Sequence, residues 1–366
     1  MMKKTLLAAT VTAALGLSAP MAWAELPVAI AGPMTGQYAS AGDQIRKGAE
    51  MAIADINARG GVLGEKLSLE VGDDACDPKQ AVSVANTMIN KGIVFMHGHW
   101  CSSSTIPASD VYAEALIPMA TVSTNPQVTA RGLDNLVRIM GSDDQQGAVA
   151  GGYLVTHYKD KNIAVVDDKS AYGKGLADEI AKAMEAKGVK PVMRESITAG
   201  EKDYSGLVTK LKRDGVSVLA YGGYHTEVAL ILRQAAQVGL DLTVMGGDTM
   251  TNSELVTAAG PAADHVLFTF SPDPRKIEAA APIVKKFRDA KVEPEGYVLY
   301  AYAAMQLFEQ AATAAGSTDF EPLMAAIHEG SFDTAIGTLS FDEKGNLKAP
   351  GFVVYQWQGG KYDYAK

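Results

Sequence analysis

Short apolar runs alternate with amphipathic stretches along nearly the whole chain, and this alternation constrains the fold more than any other feature. The runs with strand character are Val28–Ala31, Leu67–Val71, Ile93–Met96 and Ile117–Thr121, followed by a second series at Ile163–Val166, Val192–Glu195, Val216–Tyr221, Leu242–Met245 and His265–Phe270. Helical patterns fill the gaps. Over Asp43–Ala58 the residues Ile45, Ala49, Ala52, Ile53 and Ile56 form one stripe, and Gly60-Gly61 stops it. Similar patterns cover Pro78–Asn90, Gln145–His157, Gly175–Ala186, Tyr204–Asp214 and Thr226–Val238. Strand-helix alternation predicts an α/β fold with parallel sheets covered by helices on both faces, and the near-continuous apolar strands predict burial on both sides. Two series in 366 residues exceed what one core serves, so two doubly wound lobes are expected. The junction falls near Gly141-Ser142, and a later crossing at Ser271-Pro272-Asp273-Pro274, a segment that helices avoid. Helical stretches Lys276–Asp289, Gly296–Ala315 and Glu321–Glu329 come next, and strand-like Gly337–Phe341 and Phe352–Trp357 end the chain.

The first residues address the compartment. Met1-Met2-Lys3-Lys4 is basic, Thr5–Ala19 is apolar, and Ala22-Trp23-Ala24 is a small-x-small cleavage site. That order reads as a secretory signal peptide over residues 1–24, cleaved after Ala24, with the mature chain starting at Glu25. No Cys sits at the cleavage site, so no lipid anchor is expected there, and no later run reaches the roughly 18 apolar residues of a spanning helix. A soluble protein outside the cytoplasm is expected. The net charge of −9 falls to −11 once Lys3 and Lys4 leave with the signal, and this acidic balance argues against nucleic acid or an anionic membrane as partner. In an oxidising compartment the lone pair Cys76 and Cys101 reads as a disulfide. A nucleophilic or metal-binding cysteine is the other reading, although neither lies in a CxxC.

The chain has no G-x-S-x-G elbow, no HExxH and no Walker P-loop. Gly173-Lys174-Gly175 resembles the start of a dinucleotide fingerprint, but Asp178 stands where the third Gly belongs, so a plain Gly turn is the better reading. His97 and His99 share one face of a strand and could seed a metal site; without a third ligand, packed or hydrogen-bonded histidines fit better. No metal or cofactor is expected. One segment stands out for binding: His99-Trp100-Cys101-Ser102-Ser103-Ser104-Thr105 follows the strand Ile93–Met96. A helix starting there would offer free N–H groups and hydroxyls to a carboxylate, or Ser102 or Ser103 would simply cap it. Ligands of open α/β sheets sit at the carboxyl ends of strands, which favours binding. Ser123-Thr124-Asn125-Pro126, Tyr172, Tyr224 and Asp248 each follow another strand in the same way. Singly these are loop residues; together they would ring a cleft between two lobes.

Longer motifs carry a resemblance. Asp73-Asp74-Ala75-Cys76-Asp77-Pro78-Lys79-Gln80-Ala81-Val82, Cys101-Ser102-Ser103-Ser104-Thr105, Thr129-Ala130-Arg131-Gly132, Ile197-Thr198-Ala199-Gly200-Glu201-Lys202-Asp203, Tyr221-Gly222-Gly223-Tyr224-His225 and Phe341-Asp342-Glu343-Lys344-Gly345 resemble the leucine/isoleucine/valine-binding proteins of bacterial ABC transporters, over essentially the whole mature chain. The resemblance implies the type I periplasmic-binding fold, with two lobes joined by three crossovers: residues 25–142 plus 272–350, and 143–271 plus 351–366. It implies that Cys76 and Cys101 are bonded. It implies a periplasmic monomer that binds an amino acid, branched-chain first, and meets a membrane permease, with no catalysis. By position, Ser102 and Thr124 would bind the ligand carboxylate, with Ser123 beside them. The Val122 carbonyl and Asp248 would hold the ammonium, Tyr224 would touch it, and Tyr172 would help close the cleft. Trp100, Tyr297 and Ala41 fall where the family contacts the ligand side chain. The family pattern has Glu at Asp248, Leu at Trp100 and an aromatic at Ala41. Two alternatives stand beside this reading: a sensor of the same fold feeding a membrane receptor, and an enzyme with a Rossmann-like lobe.

Overall fold

The structure is a computed structural model describing residues 25–366; the signal peptide expected over residues 1–24, with its cleavage after Ala24, lies outside the described residues. The first part of the chain runs β1 (Glu25–Gly32), α1 (Ala39–Ala58), β2 (Lys66–Asp73), α2 (Pro78–Asn90), β3 (Phe95–His97), α3 (Ser102–Glu114), β4 (Met119–Thr121), α4 (Gln127–Ala130) and β5 (Leu136–Arg138). The second runs α5 (Asp143–Tyr158), β6 (Ile163–Asp167), α6 (Ala171–Glu185), β7 (Met193–Ser196), α7 (Ser205–Arg213), β8 (Val218–Gly222), α8 (His225–Gln237), β9 (Thr243–Gly246), α9 (Glu254–Ala259) and β10 (Val266–Phe270). The remainder is α10 (Ala281–Asp289), α11 (Val298–Ala315), α12 (Phe320–Glu329), β11 (Phe332–Thr334), β12 (Gly337–Leu339), β13 (Val353–Gln358) and β14 (Lys361–Tyr364).

The first sheet has order β2-β1-β3-β4-β5 and is parallel throughout. The second has order β14-β13-β10-β9-β8-β6-β7; the five strands from β10 to β7 are parallel, and β13 and β14 add an antiparallel edge. Both sheets therefore reverse strand order beside their first strand, which is where a doubly wound sheet opens its binding crevice. Alternate residues of β1 serve opposite faces. Val28 and Ile30 pack with α1 and α11, where Phe95 stacks on Phe308 at 4.9 Å between ring centres, while Ala29 and Ala31 pack with α2 and α3. Burial on both faces explains why these strands read as unbroken apolar runs.

Several elements depart from the sequence expectation, and the three-residue strand β5 has no counterpart in it. The helix expected from Lys276 begins only at Ala281, because Pro282 cannot donate within a longer helix and suits a first turn; two short 3₁₀ turns precede it. Gly337–Phe341 supplies β12, which pairs only with β11 and joins neither large sheet. The β13–β14 hairpin was not anticipated. It turns through Gly359 and Gly360 at φ +58° and +78°, the double left-handed conformation of a tight hairpin that suits glycine.

Candidate ligand-binding site

Six loops at strand carboxyl ends converge, three from each sheet. On the first sheet, Cys101 adopts an extended conformation before α3, and Ser102 is the first helical residue. The opening N–H groups of α3 thus have no intrahelical acceptor. The Ser102 hydroxyl accepts from the Asn125 N–H at 3.3 Å, so the start of α3 and the loop after β4 form one surface. Thr124 and Val122 are buried in that loop. Ser123 is placed differently. Its hydroxyl donates toward the carbonyls of His99 and Trp100, both at 3.0 Å, and lies 2.5 Å from the Thr105 hydroxyl, while its N–H donates to Thr121. Ser123 therefore braces the loop with its polar atoms.

The second sheet presents Asp248, just past β9. Its Oδ1 accepts from the Tyr172 hydroxyl and from Gln146 Nε2, both at 2.9 Å, and its Oδ2 accepts from the Tyr297 hydroxyl at 2.5 Å. Burial pushes its carboxyl up to about 6, against the opposing effect of the tyrosine hydrogen bonds. Asp143, the first residue of α5, is fully buried with no close hydrogen-bond partner on either carboxylate oxygen among the described residues, and burial followed by the charge of Asp248 raises its pKa, opposed by the nearby Thr124 side chain. Asp168, after β6, is held at about 6 by burial, opposed by Ser170. A carboxylate desolvated this way is stabilised by a cation that arrives with a ligand.

Aromatic rings close the space between the sheets. Tyr224 lies against Tyr38 (4.3 Å between ring centres), Trp100 (5.3 Å) and Tyr172 (5.4 Å), and Trp100 meets Tyr297 edge-on at 5.5 Å. Tyr38 and Trp100 come from loops of the first sheet and Tyr224 from the second, so these contacts span the two. Further hydrogen bonds join the same loops: Tyr38 to Glu227 at 3.3 Å, Ser40 to Glu254 at 2.7 Å, and Asn125 Nδ2 to the Ala171 carbonyl at 2.6 Å. Behind Ser102, the Cys76–Cys101 disulfide spans 5.5 Å between Cα atoms.

A sequence profile of the periplasmic binding proteins matches residues 25–361. The chain belongs to this family. Leu/Ile/Val-binding protein homolog 1 of Brucella melitensis is 49% identical over 368 residues, covering 99% of both chains. The leucine-, isoleucine-, valine-, threonine- and alanine-binding protein of Pseudomonas aeruginosa is 44% identical over 343 residues, covering 92% of this chain and 91% of that one. A crystal structure of a leucine-binding protein from Thermotoga maritima superposes with a TM-score of 0.85 at 25% identity, covering 93% and 98% of the two chains. The type I periplasmic-binding fold, with its parallel-strand sheets, is thus this chain's fold, and its family is one of substrate-binding proteins.

In this periplasmic binding protein the structure brings Trp100, Ser102, Val122, Thr124, Tyr172, Tyr224, Asp248 and Tyr297 to facing loops. Ala41, 1% exposed, lies in the same buried cluster as Trp100, Val122 and Tyr297, and Tyr38, almost one helical turn earlier, adds an aromatic face against Trp100 and Tyr224. The sequence reading does not single out several polar residues of the site: Tyr38, Asp143, Gln146, Asp168 and Glu227. Ser142 and Gln145 form a capping box, a pattern visible in sequence, but nothing local shows that Asp143 and Gln146 turn toward Asp248. Gly173 and Gly175, far from forming a plain turn, are the third and fifth residues of α6. A Cβ on Gly173 would stand 2.5 Å from the Gly222 carbonyl, and one on Gly175 would stand 2.5 Å from Asn125 Nδ2, so both permit close approach. His97 and His99 bond to the Ala120 carbonyl (3.0 Å) and to Asp74 (2.5 Å) respectively.

Proposed function

We propose that this periplasmic binding protein captures a neutral, mainly apolar amino acid between two lobes and delivers it to the permease of an ABC importer. The lobes are residues 25–142 plus 272–350 and residues 143–271 plus 351–366. The mature chain starts after Ala24, resides in the periplasm and works as a monomer without catalysis. The ligand carboxylate meets the Ser102 and Thr124 hydroxyls and the free N–H groups beside them. Its ammonium meets Asp248 and the Val122 carbonyl, with Tyr224 alongside. The observation that carries this reading is the juxtaposition of a helix N-terminus on one sheet with a buried, multiply hydrogen-bonded carboxylate on the other. Such a pair complements a zwitterion end to end.

The side-chain wall is Trp100, Tyr297, Ala41 and Val122, none of them charged. A charged ligand side chain there would lose hydration without gaining a partner. Leucine, isoleucine and valine come first, and a smaller aliphatic or an aromatic amino acid second. A thermal-shift panel of the common amino acids tests this. A ligand at about 100 times its Kd adds about 2.7 kcal/mol of stability, enough for a measurable shift. The largest shift from glutamate, aspartate, lysine or arginine would refute the assignment of the wall.

A further inference from the structure

Arg138, the last residue of β5, is a charged side chain for which the proposed binding reaction has no evident use, yet it is only 2% exposed. Every partner it has is a neutral oxygen. One terminal nitrogen donates to three consecutive carbonyls, Ser123 at 3.4 Å, Thr124 at 3.0 Å and Asn125 at 2.9 Å. The other donates to the Thr129 hydroxyl at 3.1 Å and to Asn346 Oδ1 at 2.5 Å. Its Nε is buried without a partner among the described residues. Asp143, Asp144 and Asp342 act on it only through space, and burial lowers its pKa to about 10, leaving it charged at neutral pH.

The carbonyls it holds belong to the loop that carries Thr124. A carbonyl and the following N–H form one planar peptide and point in opposite directions. The carbonyl of Thr124 is thus paired with the N–H of Asn125, which donates to the Ser102 hydroxyl at 3.3 Å. The carbonyl of Ser123 is paired in the same way with the N–H of Thr124. A cation on the carbonyl side polarises both peptides and strengthens donation on the far side, as in any hydrogen-bonded chain in a low-dielectric interior.

We infer that Arg138 is a positioning residue for ligand recognition: it holds the 123–125 loop from behind and, through the Ser123–Thr124 and Thr124–Asn125 peptides and the Ser102 hydroxyl, strengthens the site for a carboxylate without touching the ligand. The same guanidinium ties that loop to Asn346 on the segment leading to β13, which enters the second sheet. The buried positive charge is offset when the ligand's anionic end arrives on the other side of the loop.

This inference rests on the amino-acid reading above, and its test separates the two. The amino acid giving the largest thermal shift and its carboxamide are titrated, by competition where binding is weak, against the wild type, Arg138→Met and Arg138→Lys. The carboxylate-to-carboxamide affinity ratio should fall about tenfold in Arg138→Met, within the range usual for coupling between sites that do not touch, and less in Arg138→Lys. A brace without electrostatic action would weaken both ligands equally and leave the ratio unchanged, which overturns the inference alone. Should Arg138→Met fail to fold, Arg138→Gln keeps a neutral donor and decides the same ratio. If no amino acid binds the wild type, the functional reading falls and this inference with it.

Discussion

Replacing Asp248 by Asn should separate the ligand's counter-charge from the scaffold that holds it. The carboxylate is fully buried and accepts three hydrogen bonds, from Gln146, Tyr172 and Tyr297. An Asn keeps one acceptor and adds an NH₂. Gln146 Oε1 has no partner and is a ready acceptor, and the two hydroxyls can rotate, so the polar network survives. The effect on folding follows from the direction of the shift. A folded-state value of about 6 against the ordinary 3.8 means that the folded protein holds its proton more tightly. The ionised group therefore opposes folding, by roughly 3 kcal/mol above about pH 6, and that opposition fades as the pH falls from about 6 to the ordinary 3.8. Removing the charge relieves this penalty but weakens the two tyrosine hydrogen bonds. The unliganded variant should be at least as stable as wild type at pH 7.5. Ligand binding should fall by roughly 2–5 kcal/mol, or about 30-fold or more, because the ammonium is buried without its counter-charge. Titration calorimetry and scanning calorimetry on the same samples decide both signs. Unchanged affinity, or an unliganded melting temperature several degrees below wild type, would refute the reasoning.

Wild-type affinity should weaken as pH falls through about 6, by up to tenfold per unit, since the ammonium needs Asp248 ionised; calorimetric titrations from pH 5 to 8 measure this, and a flat profile contradicts it. Trp100→Leu should raise affinity for leucine relative to alanine severalfold, because the indole occupies the wall beside Tyr38, Tyr224 and Tyr297; the Kd ratio in variant and wild type is the readout. Denatured, unreduced protein should show no free thiol, and Cys76→Ser with Cys101→Ser should cost roughly 3.5 kcal/mol for the loop of 25 residues, measured by urea unfolding.

The sequence by itself determined the layers. Strand and helix periodicities are local, so both series of strands and most helices were legible within a few residues, and Pro78–Asn90 matched end to end. The residues just past strand ends were legible too, because a doubly wound sheet places ligands there whatever its loops contain. The three-residue strand Leu136–Arg138 was not legible, being too short for a period to register. Partnership across distance was left to the tertiary structure. Tyr38 and Glu227 lie 189 residues apart, Arg138 and Asn346 lie 208 apart, and Gln146 and Asp248 lie 102 apart. No local pattern distinguishes a buried arginine braced by carbonyls from a surface one. Ser123 shows the converse: its neighbours and spacing match those of a ligand-binding hydroxyl, and only the approach of the His99 and Trp100 carbonyls turns it into a brace. Local sequence decides which elements form, while the role of a polar atom depends on which long-range donors and acceptors reach it once the two sheets face each other.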